Sequence, residues 1–179
     1  MLDTVEVKSM TSDDFFEHDT REFGVIFIDG LHVYEQVIKD IVNAANRLSK
    51  YGYIIVHDCL PENAHAATRE WHEGVWNGDV WKALYDIHLH YKDLKYYVLN
   101  GDFGLGIIQK KRNADVPFQR HFLESVAKLD YQFFSHNALQ ELNIKGFHFF
   151  IKELGSANVL RNIYLKVRYY YYAFFTQKK

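Results

Sequence analysis

The chain has 179 residues, is 48% hydrophobic and carries a formal net charge of -2 with a pI near 6.5. That length suffices for one buried core, and the near-neutral balance gives no global electrostatic reason to expect nucleic acid, whose binding needs clustered Lys and Arg. No run of about 18 apolar residues occurs, which excludes an ordinary membrane-spanning helix; a single cysteine, Cys59, and the lack of a basic-then-apolar leader point to the cytoplasm.

In chain order, Val5 and Val7 alternate with Glu6 and Lys8 as a short strand, and Thr11-Ser12-Asp13-Asp14 supplies capping chemistry for a brief helix with Phe15 and Phe16. Phe23 to Ile28 is a continuous apolar run ending at Asp29-Gly30, the pattern of a strand buried on both faces of a parallel sheet. Val37, Ile38, Ile41, Val42, Ala45 and Leu48 form one helical stripe, with Gly52 as the expected stop. Tyr53 to Val56 follows as a second buried strand ending at His57-Asp58, so the segment reads as a βαβ crossover.

From Pro61 to about His90 helical segments are expected around the turn Trp76-Asn77-Gly78-Asp79, with Asn77 or Asp79 as the cap of a helix through Val80, Trp81, Leu84 and Ile87. Leu94–Leu99 and Phe103–Gln109 read as a terminal antiparallel hairpin around Asn100-Gly101-Asp102. Phe118–Lys128, Tyr131–Leu142 and Phe147–Leu154 read as helices. The fold class is therefore α/β over residues 1–112, followed by a helical, aromatic and basic extension over 113–179.

The charge is polarised along the chain. Residues 1–22 hold seven acids against Lys8 and Arg21, whereas residues 144–179 hold seven Lys and Arg against Glu153 alone. Five tyrosines and two phenylalanines crowd Ile163 to Phe175 around Lys166 and Arg168. Packing on the domain or on a partner helix is the favoured reading of that tail, and contact with an anionic membrane the less favoured one.

In open parallel sheets ligands bind beyond the carboxyl ends of the strands. Asp29 and His57-Asp58 occupy that edge, and two carboxylates with an imidazole suit a hard divalent cation such as Mg²⁺. His32, three residues after Asp29, would project near the same point as a general base. An Asp at a strand end is also an ordinary turn or cap residue; the joint placement of all four favours a site.

Val25-Ile26-Phe27-Ile28-Asp29-Gly30-Leu31-His32-Val33-Tyr34 and Tyr51-Gly52-Tyr53-Ile54-Ile55-Val56-His57-Asp58 resemble the fourth and fifth strands of class I S-adenosylmethionine-dependent methyltransferases, whose patterns read IDGxHxYExVxxD and GGxxxxHD. The resemblance covers about residues 3–111, implies a partial Rossmann-like methyltransferase sheet, and is nearest to small-molecule O-methyltransferases that include sugar-modifying enzymes. It implies S-adenosylmethionine and a small polar acceptor. Asp29, His57 and Asp58 would hold a divalent metal, His32 would deprotonate the acceptor, and Asp29 would serve catalysis and cofactor binding together.

Thr11, Ser12 and Asp13 resemble the family's segment lining the adenine pocket, and Trp76 to Lys82 resembles a loop over its acceptor pocket. His57 stands where metal-dependent members carry an acid, so methyl transfer by His32 alone is the other outcome the resemblance allows. The family's opening GxGxG loop has no counterpart, and Gly101, Gly104 and Gly106 lie between two strands instead of opening a helix. A truncated frame is therefore expected, its apolar sheet edge covered by a second copy or a partner chain. The alternative is a methyltransferase-like remnant acting as a protein-interaction module.

Overall fold

In the computed structural model, which describes residues 6–114, 117–119 and 122–154, the first element is the short helix α1 (Ser12–His18). Thr11 caps it, its hydroxyl oxygen accepting from the Asp14 amide at 3.1 Å and so satisfying one of the helix's free N–H groups. The expected strand through Val5 and Val7 is corrected: residues 6–9 form none, since exposed Val7 has no neighbouring strand to pair with, and Val5 lies outside the described residues.

β1 (Phe23–Ile28), α2 (Tyr34–Arg47) and β2 (Leu48–Val56) form the expected parallel unit, with Ile26 opposite Ile54 and Ile28 opposite Val56. The helix buries Tyr34, Val37, Ile38, Ile41, Val42, Ala44 and Ala45 as one stripe. It ends at Arg47 without the expected glycine stop, because the chain turns straight into β2 at Leu48. Gly52 serves the sheet instead: a Cβ there would lie 2.8 Å from the carbonyl oxygen of Gly24, where the register slips between Phe23 and Val25.

The sheet order is β1-β2-β4-β3-β5, where β3 is Leu94–Leu99, β4 is Leu105–Lys110 and β5 is Ile144–Lys145. β4 runs antiparallel to both β2 and β3, as the hairpin reading requires, but β5 adds a further edge parallel to β3. β1 is the opposite edge. The expectation that it is buried on both faces is therefore corrected: Val25 is 46% and Phe27 45% exposed, since nothing among the described residues covers that side.

Alternation along the strands separates two faces. Ile54, Val56, Val98 and Ile108 pack with α2 and with α3 (Trp81–His90), whereas Ile55, Tyr97, Leu99 and Ile107 meet Phe150 of the last described helix. Residues 61–75 are bends and turns, correcting the helical reading there, while the break expected at 76–79 is non-helical as read; the backbone is held by short-range bonds such as Asn77 N–H to the Ala66 carbonyl, and at Asp79 by one to the His32 carbonyl, instead of by a helical ladder.

The expected helix Phe118–Lys128 is corrected: among the described residues of that region only α4 (Glu124–Ala127) is helical. Residues 131–141 are helical throughout, as α5 (Tyr131–Phe133), a π-turn (Phe134–Ala138) and α6 (Leu139–Glu141). α7 (Phe147–Leu154) falls where the sequence places it. Val126, Phe134, Ala138 and Leu142 join the same core as α2 and α3. No described helix is long and apolar enough to cross a membrane, and the aromatic tail from Ile163 lies outside the described residues.

Candidate active site

Parallel pairing places the ends of β1 and β2 side by side, and the His57 amide donates to the Ile28 carbonyl at 3.0 Å. Asp29, His57 and Asp58 thus emerge at one carboxyl edge. His32 returns to them from the loop before α2: its Nε2 lies 3.3 Å from Asp29 Oδ1 and 3.3 Å from Asp58 Oδ2. On the other side of the two carboxylates His57 Nδ1 lies 3.6 Å from Asp29 Oδ1 and 3.1 Å from Asp58 Oδ2. The four residues expected to converge do so.

Three supports were not assigned to the site from sequence. Trp76 stacks on His32 with ring centroids 4.9 Å apart, and its carbonyl meets His32 Nδ1 at 3.0 Å. Asn77 Nδ2 donates to Asp58 Oδ1 at 2.7 Å. Asp102, from the β3–β4 connection, brings Oδ2 to 3.5 Å from His57 Nε2. The Trp-Asn-Gly-Asp turn was visible as a loop near an acceptor pocket, but nothing in Asn100-Gly101-Asp102 beyond a turn signal pointed to His57.

The expected cap of α3 is corrected, because Val80 occupies that position without a side-chain bond. Asp79 caps α2 from across the fold, its Oδ1 accepting from the Tyr34 amide at 2.5 Å while Oδ2 meets Arg69 at 3.1 Å and Lys82 at 3.3 Å. Its backbone N–H donates to the His32 carbonyl at 3.1 Å. Gly78 makes this approach feasible: it has φ of 59°, and a Cβ there would fall 2.0 Å from the same carbonyl oxygen.

Asp58 itself has φ of 62°, and Asp102 and Phe103 have φ of 49° and 57°. Such left-handed conformations cost a non-glycine residue about 1–2 kcal/mol and gather at functional sites. The Cys59 amide donates to the Gly104 carbonyl at 3.0 Å and the Leu60 amide to the Phe103 carbonyl at 2.7 Å, which pins the hairpin connection beside His57.

Hydrogen bonds from His32 and His57 hold the Asp29 carboxyl well below the usual range, against the opposing effect of burial. Burial disfavours the charged form of His57, but its bonds to Asp29 and Asp58 and their charges prevail and push it up to about 10. For His32 burial is again opposed by the bond to Asp29 and the charge of Asp58, and the net direction is upward. The Asp29 carboxylate is thus held ionised by imidazoles held basic.

Thr11, Ser12 and Asp13 are engaged beside α2. Ser12 Oγ accepts from Gln36 Nε2 at 3.2 Å, and Asp13 Oδ2 pairs with Lys39, leaving Asp13 Oδ1 buried without a hydrogen-bond partner among the described residues. A separate groove of about 560 Å³ lies between residues 64–68 and the start of α5, lined by Thr68, Asp130, Tyr131 and Ser135 among others. None of the cluster's side chains lines it.

Residues 1–59 match a family model described as a methyltransferase domain. The match ends one residue past Asp58, so it contains all four clustered residues but not Trp76, Asn77 or Asp102, and it supports a class I methyltransferase family for this chain. The mixed five-stranded sheet with helices is compatible with a Rossmann-like methyltransferase. No curated protein and no solved structure matches the chain.

Proposed function

We propose that the chain is an S-adenosylmethionine-dependent methyltransferase domain that methylates an oxygen of a small polar acceptor such as a sugar. The observation that carries this reading is His32: Nδ1 faces the Trp76 carbonyl at 3.0 Å, and Nε2 faces two carboxylate oxygens at 3.3 Å each. A proton on Nδ1 leaves Nε2 free to accept one from an acceptor hydroxyl, and Asp29 and Asp58 stabilise the imidazolium that results. S-adenosylmethionine supplies an electrophilic methyl on sulfur. With it bound, transfer of that methyl to the acceptor oxygen would release S-adenosylhomocysteine, and the chain's own residues would align the acceptor and take its proton at His32.

Asp13 Oδ1, a buried acceptor without a partner, suits an adenine amino group, with Thr11 and Ser12 beside it and Asp29 at the sheet edge as further cofactor-binding residues. The donor set also fits a divalent cation such as Mg²⁺. Asp29, His32 and Asp58 offer three ligand atoms all within 4.8 Å of one another, and His57 in place of His32 gives the set implied by the family resemblance. Such a cation would supply Lewis-acid polarisation of the acceptor hydroxyl.

The test is isothermal titration of the full chain with S-adenosylmethionine and S-adenosylhomocysteine, each with and without Mg²⁺. Saturable binding of both, weakened by Asp29→Ala, is expected and would justify an acceptor screen. A folded chain that binds neither ligand at millimolar concentration overturns the enzymatic reading and leaves the interaction module.

A further inference from the structure

Asn77 is 0% exposed, and a fully buried amide is retained only where its hydrogen bonds repay its desolvation. Its backbone N–H donates to the Ala66 carbonyl at 2.8 Å, and Nδ2 donates to Asp58 Oδ1 at 2.7 Å. Its own Oδ1 has no hydrogen-bond partner among the described residues, an omission that costs stability. An apolar residue of similar size would avoid that penalty. What favours the amide is the charge-assisted bond to Asp58.

The two oxygens of Asp58 are divided. Oδ1 receives the Asn77 amide, while Oδ2 lies 3.3 Å from His32 Nε2 and 3.1 Å from His57 Nδ1. The terminal torsion of an aspartate is broad and roughly two-fold, so the backbone at φ 62° does not fix the angle at which the carboxylate plane meets the histidines. A donor on one side does. The same turn holds the other partner, since the Trp76 carbonyl meets His32 Nδ1 and the Asp79 amide donates to the His32 carbonyl.

We infer that Asn77 is a positioning residue: by fixing Asp58 Oδ1 it aims Oδ2 at His32 and His57, and residues 76–79 thereby set the geometry of the base and its carboxylate together. The role in catalysis rests on the methyl-transfer reading of the cluster. The positioning itself does not, and it is measured without cofactor or acceptor.

The experiment compares imidazole ¹⁵N spectra of the full wild-type chain, Asn77→Ala and the swap Asn77→Asp/Asp58→Asn at one pH, with a thermal melt of each and of Asn77→Asp alone. With Asn77→Ala folded, the His32 Nε2 and His57 Nδ1 signals should move by several parts per million while His32 Nδ1, held by Trp76, moves least. The swap restores a donor–acceptor pair and should recover melting temperature relative to Asn77→Asp alone. Its histidine signals should stay displaced, because the charge has moved away from them. Histidine signals that coincide with wild type in either folded variant overturn the inference and make Asn77 a packing amide. Should neither variant fold, the wild-type chain decides: Asn77 Nδ2 protons protected from exchange and shifted downfield uphold the bond to Asp58, and freely exchanging ones overturn it.

Discussion

Replacing His57 by Gln should flatten the pH dependence of stability on the alkaline side. His57 titrates near 6.5 when unperturbed and is pushed up to about 10 in the fold, a gap of about 3.5 units. At about 1.4 kcal/mol per unit this corresponds to about 5 kcal/mol, taken as a ceiling. Its side chain is only 12% exposed, so solvent screening removes little of it. Because the folded pKa is the higher one, the contribution is complete below about pH 6.5 and is lost as pH rises towards 10. Urea denaturation at about pH 6, 8 and 10 measures it: wild type should lose several kcal/mol more than His57→Gln over that range, the difference cancelling lysines and tyrosines that titrate in both. Parallel loss in the two proteins would refute the assignment of His57 as the bridging cation among Asp29, Asp58 and Asp102.

Other consequences follow from the same geometry. If His32 is the base, kcat/KM for methyl transfer should climb with pH through an apparent pKa above 6.5, the direction of its shift, and a profile flat across that region would exclude the role. Gly78→Ala places a Cβ 2.0 Å from the His32 carbonyl oxygen at a left-handed φ; a loss of about 2–4 kcal/mol in denaturant melts, with displaced His32 signals, is expected. Asp79→Ala removes the cap of α2 and leaves the buried Lys82 without its carboxylate partner, which should cost about 3–5 kcal/mol and is checked by thermal unfolding. Phe27→Lys puts a charge on the exposed edge strand β1 and should reduce self-association in sedimentation experiments; unchanged association would place any partner elsewhere.

The parallel unit was readable because its signals are local. A stripe at helical spacing between two apolar runs defines β1, α2 and β2 without knowledge of any neighbour. The burial of β1 was not readable, because an apolar run states what a strand prefers to contact, and the contact depends on which strand lies beside it. Residues 61–75 were read as helical, whereas their backbone turns on short-range bonds, and the turn at 76–79 is held both to the Ala66 carbonyl and, at Asp79, to the distant carbonyl of His32. The same limit applies to Asp79, which is a capping residue as expected but caps α2, 45 positions away.

For the site the division is sharper. Asp29, His57 and Asp58 terminate strands, so topology alone carries them to one edge, and His32 follows by its spacing from Asp29. Asn77, Trp76 and Asp102 reach that edge only through the closure of two loops, and sequence spacing holds no record of such closures. The residues found from sequence are charged or basic, and by themselves they leave open how the Asp58 carboxylate is oriented towards the histidines. That orientation comes from Asn77 and from the left-handed turns at Asp58 and Gly78. Residue types at the strand ends therefore define what chemistry is available, and the loops that close over them define its geometry. Variants in the turn should accordingly alter alignment at His32 while the sheet beneath stays intact, whereas variants at Asp29 or Asp58 remove the ionised groups themselves.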